Sequence, residues 1–267
     1  MIVSHAMKTM FGCLCLSLLF APGCGKPPPP TRVQWPVMGT VAAVQCADMR
    51  AAPSARDITQ TVFERMNALL STWRGDSELT AVNAAAGTGG GGPVSPETAI
   101  VLQSALDICD KSGGAFNPLV GPLMRAWGFN GAATRLTPPD EATLRRVAPL
   151  LDWRSVTLTP PSHQAPPVVV LPHPGMMIDL GAIAKGYALD AAWEALKEGE
   201  HTNVLIDLGG DLRALGEAAP GRGGWRTGIR NPFQPGGGSR PPATMSGSSR
   251  SGGSVTRTSW TPARPCR

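Results

Sequence analysis

The chain has 267 residues, of which 42% are hydrophobic, and this is enough apolar surface for one large domain or two small ones. The formal net charge of +5 comes entirely from residues 233–267, which contain five Arg and no acidic residue. Because the remaining charge is balanced and no basic segment with interleaved aromatic residues is present, we expect no nucleic-acid partner.

Residues 1–24 have the pattern of an export signal. Lys8 is followed by the apolar run Met10–Phe20, which is too short to cross a bilayer as a helix. Small residues then lead to Cys24, an arrangement that resembles a bacterial lipobox and predicts lipidation of Cys24; a cleaved signal with an incidental cysteine is the alternative. A Pro-rich tether at 25–32 follows. This pattern predicts a lipid-anchored protein at the periplasmic face of a bacterial membrane or elsewhere in the cell envelope.

The cysteines indicate export without a disulfide framework. After a signal is removed and Cys24 is lipidated, Cys46, Cys109 and Cys266 remain, and their spacing is not that of a metal site. Since Cys46 and Cys109 lie among apolar residues, we expect both to be buried, unreactive thiols.

The first predicted elements are a strand and a helix. The strand covers Val33–Cys46 and is interrupted at Met38-Gly39-Thr40, which taken alone predicts a bulge. Apolar residues at helical spacing then predict a helix that ends near Leu69. In the next segment, Trp73 is a candidate stacking platform for a flat ligand, although a half-buried structural Trp is the commoner case.

A second helix begins at Ser95-Pro96, a cap residue followed by proline. The apolar spacing places Val101, Ala105 and Ile108 on its buried side. The helix ends at Gly113-Gly114, which opens a loop in which Asn117 is most simply a turn residue.

The best organised segment runs from Met176 to Gly216. Met177-Ile178 predicts the end of a short strand, and the tight connection Asp179–Gly186 leads into a helix that stops at Gly199. A hairpin over Val204–Leu215 follows. The helix has small or apolar residues at the spacing of one buried face: Ala188, Ala192 and Leu196.

A strand-to-helix turn that contains glycines and a lysine is a natural anion site. The free N–H groups at the helix start point towards a ligand, and Lys185 adds a positive charge. Asp179 could bind a ribose hydroxyl or help to hold a cation. The alternative is that Asp179 caps the helix and Lys185 is a solvated surface charge. The spacing matches neither a P-loop nor a dinucleotide-binding fingerprint.

Four blocks in register resemble the FAD:protein FMN transferases, over roughly residues 33–232. The blocks are Met38-Gly39-Thr40; STWRGDSELTAVN from Ser71 to Asn83; GGAFNPLVGPLMRAWGF from Gly113 to Phe129; and, within Asp179–Gly216, DLGAIAKGYALD followed by IDLGGDLRALG. The resemblance implies a single α+β domain in which mixed and antiparallel sheets pack with helices. It also implies an enzyme that uses FAD and Mg²⁺.

The implied reaction splits the pyrophosphate of FAD and attaches FMN to a Thr or Ser hydroxyl of an exported acceptor protein, with release of AMP. Acceptors in this family include subunits of membrane redox complexes. Carried over by matched position, the residues lining FAD are Met38, Trp73, Ala115, Phe116, Asn117, Asp179 and Lys185. Asp179 and Lys185 are the implied catalytic residues, and the carbonyl of Ala182 is an implied Mg²⁺ ligand. Asn117 stands where the family usually has Asp.

Residues 233–267 depart from the family. Their Gly-, Ser-, Arg- and Pro-rich composition cannot bury a core and predicts a disordered tail. Codons for Arg240–Arg250, started one base earlier, can encode Thr-Ser-Gly-Asp-Tyr-Glu-Arg-Phe-Phe-Glu, a block that the family has after this point. The same shift recovers a second family block from Val255–Arg264. These matches predict a frameshift between about Asn231 and Arg240.

The incomplete match leaves other functions open. One alternative is a flavin-binding lipoprotein that cannot catalyse transfer, and another is an FAD pyrophosphatase. A third, from a different class, is a lipid-anchored binding protein for an unrelated nucleotide.

Overall fold

The computed structural model describes residues 30–129, 137–162, 165–219, 221, 223–228 and 243–245. The predicted signal segment 1–24 and most of the predicted tether lie outside these residues. Of the tail at 233–267, only Ala243–Met245 are described, as a short strand.

The described strands are β1 (Thr31–Val37), β2 (Thr40–Cys46), β3 (Gly92–Pro93), β4 (Thr157–Thr159), β5 (Val168–Val170), β6 (Val204–Leu208), β7 (Asp211–Leu215), β8 (Trp225–Thr227) and β9 (Ala243–Met245). The described α-helices are α1 (Ala52–Leu70), α2 (Glu78–Ala84), α3 (Pro96–Lys111), α4 (Gly121–Ala126), α5 (Glu141–Val147) and α6 (Gly181–Glu198). Short 3₁₀ turns cover Met49–Ala51, Ala148–Leu151 and Trp153–Ser155.

The main sheet has the strand order β1-β2-β6-β7, and each neighbouring pair is antiparallel. In its register Val44 lies opposite both Val33 and Ile206. Because side chains alternate across a strand, every second residue points towards α1 and α6, and Val44 and Ile206 are fully buried there. The fold is therefore the α+β arrangement of antiparallel sheets and helices that the sequence predicted.

Helix α6 forms the centre of the helical layer. Its fully buried residues Ala188, Ala192 and Leu196 follow one face, as the spacing predicted, and the small alanines allow α1 to approach closely. The helix ends at the predicted stop, with the Gly199 N–H bonded to the Ala195 carbonyl at 2.9 Å. One apolar cluster joins these helices to the sheet.

Two smaller sheets flank this core: β3-β5-β4 and the pair β8-β9. The Trp225 indole N–H of β8 donates to the Leu215 carbonyl at 2.8 Å and ties the second sheet to the end of β7. Cys46 and Cys109 are free and buried, as predicted. Within the described ranges, no helix has both the length and the apolar character needed to cross a membrane.

Three local predictions are wrong. Met38 and Gly39 form a two-residue hairpin turn rather than a bulge, because both have left-handed φ angles (51° and 69°) and Val37 pairs directly with Thr40. Ile108 is 42% exposed, because the buried row of α3 continues from Ala105 to Cys109, four residues on.

The third wrong prediction is the strand at Met177-Ile178. Both residues are buried in irregular backbone, and the Asn83 side chain rather than a neighbouring strand supplies the hydrogen bonds of Ile178.

Candidate functional site

The start of α6 provides hydrogen-bond donors beside a carboxylate. Asp179 Oδ1 accepts a hydrogen bond from the Gly181 N–H at 2.8 Å, so this carboxylate satisfies the first N–H group of the helix from just before its N-cap, Leu180. Neither Asp179 Oδ2 nor the Ala182 N–H has a hydrogen-bond partner among the residues that the structure describes. A ligand at the start of α6 can therefore meet one free N–H donor and one free carboxylate oxygen.

Lys185 lies one turn further along α6. Its Nζ is 3.9 Å from Asp211 Oδ2, and the two side chains are 38% and 58% exposed. Asp211 is the first residue of β7 and follows the Gly209-Gly210 turn. Since this long, exposed ion pair is weak, the Lys185 side chain can leave Asp211 and bind an anion with little loss of interaction energy.

The segment around Asp179 is fastened to two distant parts of the chain. Asn83, in the last turn of α2, exchanges two hydrogen bonds with the backbone of Ile178. The Asp179 N–H donates to the Pro118 carbonyl at 2.8 Å. These contacts bring the blocks 71–83 and 113–129 against the start of α6.

The hairpin turn at Met38 joins the same region through the β6–β7 turn. The Gly209 N–H donates to the Val41 carbonyl at 3.0 Å. A Cβ on Gly209 would lie 2.7 Å from Thr40 Oγ1, so the two turns are in direct contact. Met38 is partly buried against the core, and Asp211 connects this corner to Lys185. The structure therefore brings all four motif blocks together.

The loop Ala115–Asn117 is held by its own hydrogen bonds. The Phe116 N–H donates to Ser112 Oγ at 3.1 Å, and the ring packs against the core. Asn117 Oδ1 accepts from the Leu119 N–H, and Asn117 Nδ2 donates to the Leu151 carbonyl, both at 2.8 Å. Asn117 is the predicted turn residue, and its amide is already engaged on both sides by protein groups.

Trp73 lies in the segment before α2. The residue is 74% exposed, so the half-buried structural role considered from the sequence is wrong. Its backbone N–H donates to Ser71 Oγ at 3.1 Å and fixes the turn. The exposed indole offers an aromatic surface on which a flat ligand can stack.

The described residues do not form a complete magnesium site. Ala182 is the second residue of α6, so its carbonyl oxygen points along the helix axis towards the N–H of Gly186 and keeps one lone pair for a ligand. No group of three or more His, Cys, Asp and Glu side chains within the described ranges could hold a metal ion. Magnesium prefers about six oxygen ligands, and one carbonyl is far from that number.

An open groove of about 390 Å³ runs between α6 and β7, next to Lys185, and Asp190, Asp211 and Arg213 contribute its charged lining. Arg213 forms an ion pair with Asp190, and its guanidinium lies 4.3 Å from the centre of the Trp193 ring. Burial lowers the pKa of Arg213. Neither Arg213 nor Asn83 was singled out from the sequence. Arg213 could have been found, because a charged residue at an inward-facing position of a strand is unusual.

The sequence model of the ApbE family matches residues 38–256 and so extends past residue 232, where the motif resemblance ends. The FAD:protein FMN transferase of Treponema pallidum (strain Nichols) is 36% identical over 225 residues, which are 79% of this chain and 60% of that protein. The FAD:protein FMN transferase of Rhodobacter capsulatus is 32% identical over 218 residues, which are 78% of this chain and 39% of that protein.

The crystal structure of the ApbE protein of Thermotoga maritima has the same fold, with a TM-score of 0.65 and 25% sequence identity over 77% of this chain and 64% of that one. The chain thus spans less than two thirds of the length of each of these three relatives. The family match covers well over half of the chain and agrees with the resemblance of the four blocks. The chain belongs to the ApbE family.

Proposed function

We propose that this protein transfers the FMN part of FAD to a Thr or Ser hydroxyl of an exported acceptor protein and releases AMP. The observation that carries the proposal is the convergence of four sequence-distant blocks at the start of α6, beside Lys185. Two relatives that match most of this chain are named FAD:protein FMN transferases.

Each part of FAD has a chemically suitable neighbour at this corner. The Ala182 N–H and Lys185 suit the pyrophosphate, since both are donors at the positive end of a helix. The free oxygen of Asp179 suits a ribose hydroxyl. The exposed indole of Trp73 suits the isoalloxazine ring, and Met38 and Phe116 are the apolar side chains that the family resemblance assigns to the same ligand.

The reaction exchanges one phosphorus–oxygen bond for another. The acceptor hydroxyl oxygen attacks the phosphorus of the FMN half, and the bond from that phosphorus to the bridging oxygen breaks. AMP leaves with the bridging oxygen, and the hydroxyl proton passes to Asp179 or to water. Lys185 neutralises charge that develops on the leaving phosphate, which is how proteins accelerate phosphoryl transfer.

Magnesium dependence is part of the proposal because the family resemblance implies it. The ion would supply charge neutralisation at the pyrophosphate. The Ala182 carbonyl is the one group at this corner that the resemblance assigns to the ion. Transfer measured in excess EDTA and again after Mg²⁺ is added back tests this dependence directly.

The decisive experiment incubates the purified chain with FAD, Mg²⁺ and an acceptor domain that contains a target Thr. Fluorescent, covalently flavinylated acceptor together with an equal amount of AMP supports the proposal. An acceptor with that Thr changed to Val is the matched control, since Val has the same shape without the hydroxyl. FMN and AMP without labelled acceptor indicate a pyrophosphatase instead. FAD binding without turnover indicates a flavin-binding protein, and the absence of FAD binding favours another nucleotide.

The proposed partner is a subunit of a membrane redox complex, and the proposed location is the periplasmic face of the membrane or the wider cell envelope, with a lipid anchor at Cys24. The lipobox-like residues before Cys24 support this placement. We expect the full chain to fractionate with membranes and the Cys24→Ser variant to lose its incorporated radiolabelled fatty acid. Equal labelling of both would contradict the anchor.

A further inference from the structure

We propose that Trp153 is a positioning residue for FAD, acting through Gly114 on the loop Ala115–Asn117. The inference rests on the proposed function, since it concerns how that site is held in shape. Trp153 belongs to a short segment, Leu151–Arg154, that none of the four motif blocks includes. The structure nevertheless places this segment directly behind the loop.

The Trp153 ring is fixed by contacts other than those with the loop. Its Nε1–H donates to Asp110 Oδ1 at 2.6 Å, and Asp110 lies in the last turn of α3. The guanidinium carbon of Arg154 lies 4.1 Å from the centre of the ring. The ring is also partly buried against the core. Rotation of the ring would break a hydrogen bond to a carboxylate, which is among the stronger hydrogen bonds in proteins.

The fixed ring lies against the backbone of the loop at Gly114. A Cβ built on Gly114 would be 2.7 Å from Trp153 Cη2 and 2.8 Å from Cζ3, which leaves no space for a side chain. Gly114 also has a φ of 88°, a conformation that favours glycine. The edge of the indole therefore sets how closely the loop can approach the segment Leu151–Arg154.

A second contact fixes the other end of the loop to the same segment. Asn117 Nδ2 donates to the Leu151 carbonyl at 2.8 Å, two residues before Trp153. The next residue, Pro118, accepts the hydrogen bond from the Asp179 N–H. A displacement of Trp153 would therefore move the loop and Asp179 together, and both are assigned to FAD.

A pair of neighbouring glycines provides the test. Gly114→Ala places a methyl group against Trp153, whereas Gly113→Ala places one in open space, although Gly113 also has a positive φ of 62°. Both variants strain the backbone, and only the first displaces the loop from Trp153. Trp153→Phe removes the indole N–H and shortens the ring. Asp110→Asn keeps an acceptor oxygen for the indole, while Asp110→Ala does not.

Two measurements on the full chain separate the possible outcomes. The affinity for FAD follows from quenching of flavin fluorescence, and hydrogen exchange of residues 115–119 reports the order of the loop without FAD. We expect Trp153→Phe, Gly114→Ala and Asp110→Ala to bind FAD about tenfold more weakly and to exchange faster. Gly113→Ala and Asp110→Asn should stay within about twofold of the wild type.

Wild-type affinity in Trp153→Phe, or an equal loss in Gly113→Ala, overturns the inference. Unchanged exchange in Trp153→Phe overturns it as well, whatever the affinity. A wild-type chain that binds no FAD overturns the proposed function, and with it any role of Trp153 in FAD binding. In that case, faster exchange in Trp153→Phe would still show that Trp153 orders the loop, which would then serve a ligand other than FAD.

Discussion

The side chain of Asn83 forms two hydrogen bonds with the backbone of Ile178. Asn83 Nδ2 donates to the Ile178 carbonyl at 2.9 Å, and Asn83 Oδ1 accepts from the Ile178 N–H at 2.8 Å. The amide thus satisfies both backbone groups of a buried residue, as a neighbouring strand would. This pair holds the end of α2 against the residues that lead into α6.

Replacing Asn83 with Ala should lower the free energy of unfolding by about 2 kcal/mol, because the buried N–H and carbonyl of Ile178 lose their partners. Urea unfolding followed by circular dichroism measures the change. Asn67→Ala is the matched control, since Asn67 is also near the end of a helix, α1, and its side chain makes no hydrogen bond with the described residues. Equal losses in both variants would contradict the role given to Asn83.

This pair also marks a limit of prediction from sequence. The buried face of α6 was predictable because Ala188, Ala192 and Leu196 recur at helical spacing. Asn83 was not, because its partner lies 95 residues away. The role of Trp153 was not predictable for the same reason, because its carboxylate partner, Asp110, is 43 residues away. Periodicity reports local structure, whereas these side chains act through contacts that exist only in the folded chain.

The convergence of the four motif blocks was predictable from the sequence, whereas the individual contacts within them were not. The resemblance of the blocks to one family predicted that they share a site, and the structure brings them together. The turn at Met38 was mistaken for a bulge because a left-handed Met is rare, and the sequence gives no sign that Val37 and Thr40 pair directly.

Lys185→Gln should lower the rate of FMN transfer by about 10²-fold or more, since one charge that stabilises the leaving phosphate is lost. The unfolding free energy should change by no more than about 0.5 kcal/mol, because the pair with Asp211 is exposed. Single-turnover transfer and urea unfolding on the same samples check both statements. Asp211→Asn, which removes the partner and keeps the lysine, should retain most of the rate. A Lys185→Gln enzyme with the wild-type rate would remove Lys185 from the mechanism.

Met38→Asn should weaken FAD binding without lowering the thermal stability of the protein. Met38 has a φ of 51°, which costs a non-glycine residue about 1 kcal/mol, and Asn before Gly is a favoured pair for this turn. We expect the melting temperature to stay the same or rise while the affinity for FAD falls several-fold, because the apolar contact is lost. Calorimetry and flavin fluorescence measure the two effects. Unchanged affinity would show that Met38 does not contact FAD.

The thiol of Cys46 should resist alkylation in the folded protein. Burial, with a smaller effect from the Asp48 carboxylate, raises the pKa of Cys46 from 9.0 to about 11. The unfolded chain therefore releases this proton first, so the contribution of Cys46 to stability is complete below pH 9 and is lost as the pH rises towards 11. Peptide mapping after iodoacetamide treatment at pH 8, with and without urea, checks the protection. Rapid labelling without urea would contradict it.

The gene should carry a second reading frame that continues the family sequence after about codon 231. Resequencing the DNA from codon 225 to the next stop codon in each frame tests this proposal. A single base inserted or deleted between codons 231 and 240 should restore both missing blocks. If the DNA repeats the present frame and the shifted frame contains an early stop codon, the proposal is wrong.

The register of the main sheet also has a consequence for the time course of folding. Val44 of β2 pairs on its inner side with Ile206 of β6, so most of the domain's sequence lies between the two central strands. Such long-range pairing is slow, because a large loop must close before any contact compensates for its entropy. The hairpin of β1 and β2 can pack against α1 as soon as that helix forms, but the inner edge of β2 has no partner until β6 has been synthesised. Until then that edge presents unpaired N–H and carbonyl groups, which leaves it open to pairing with strands of other chains.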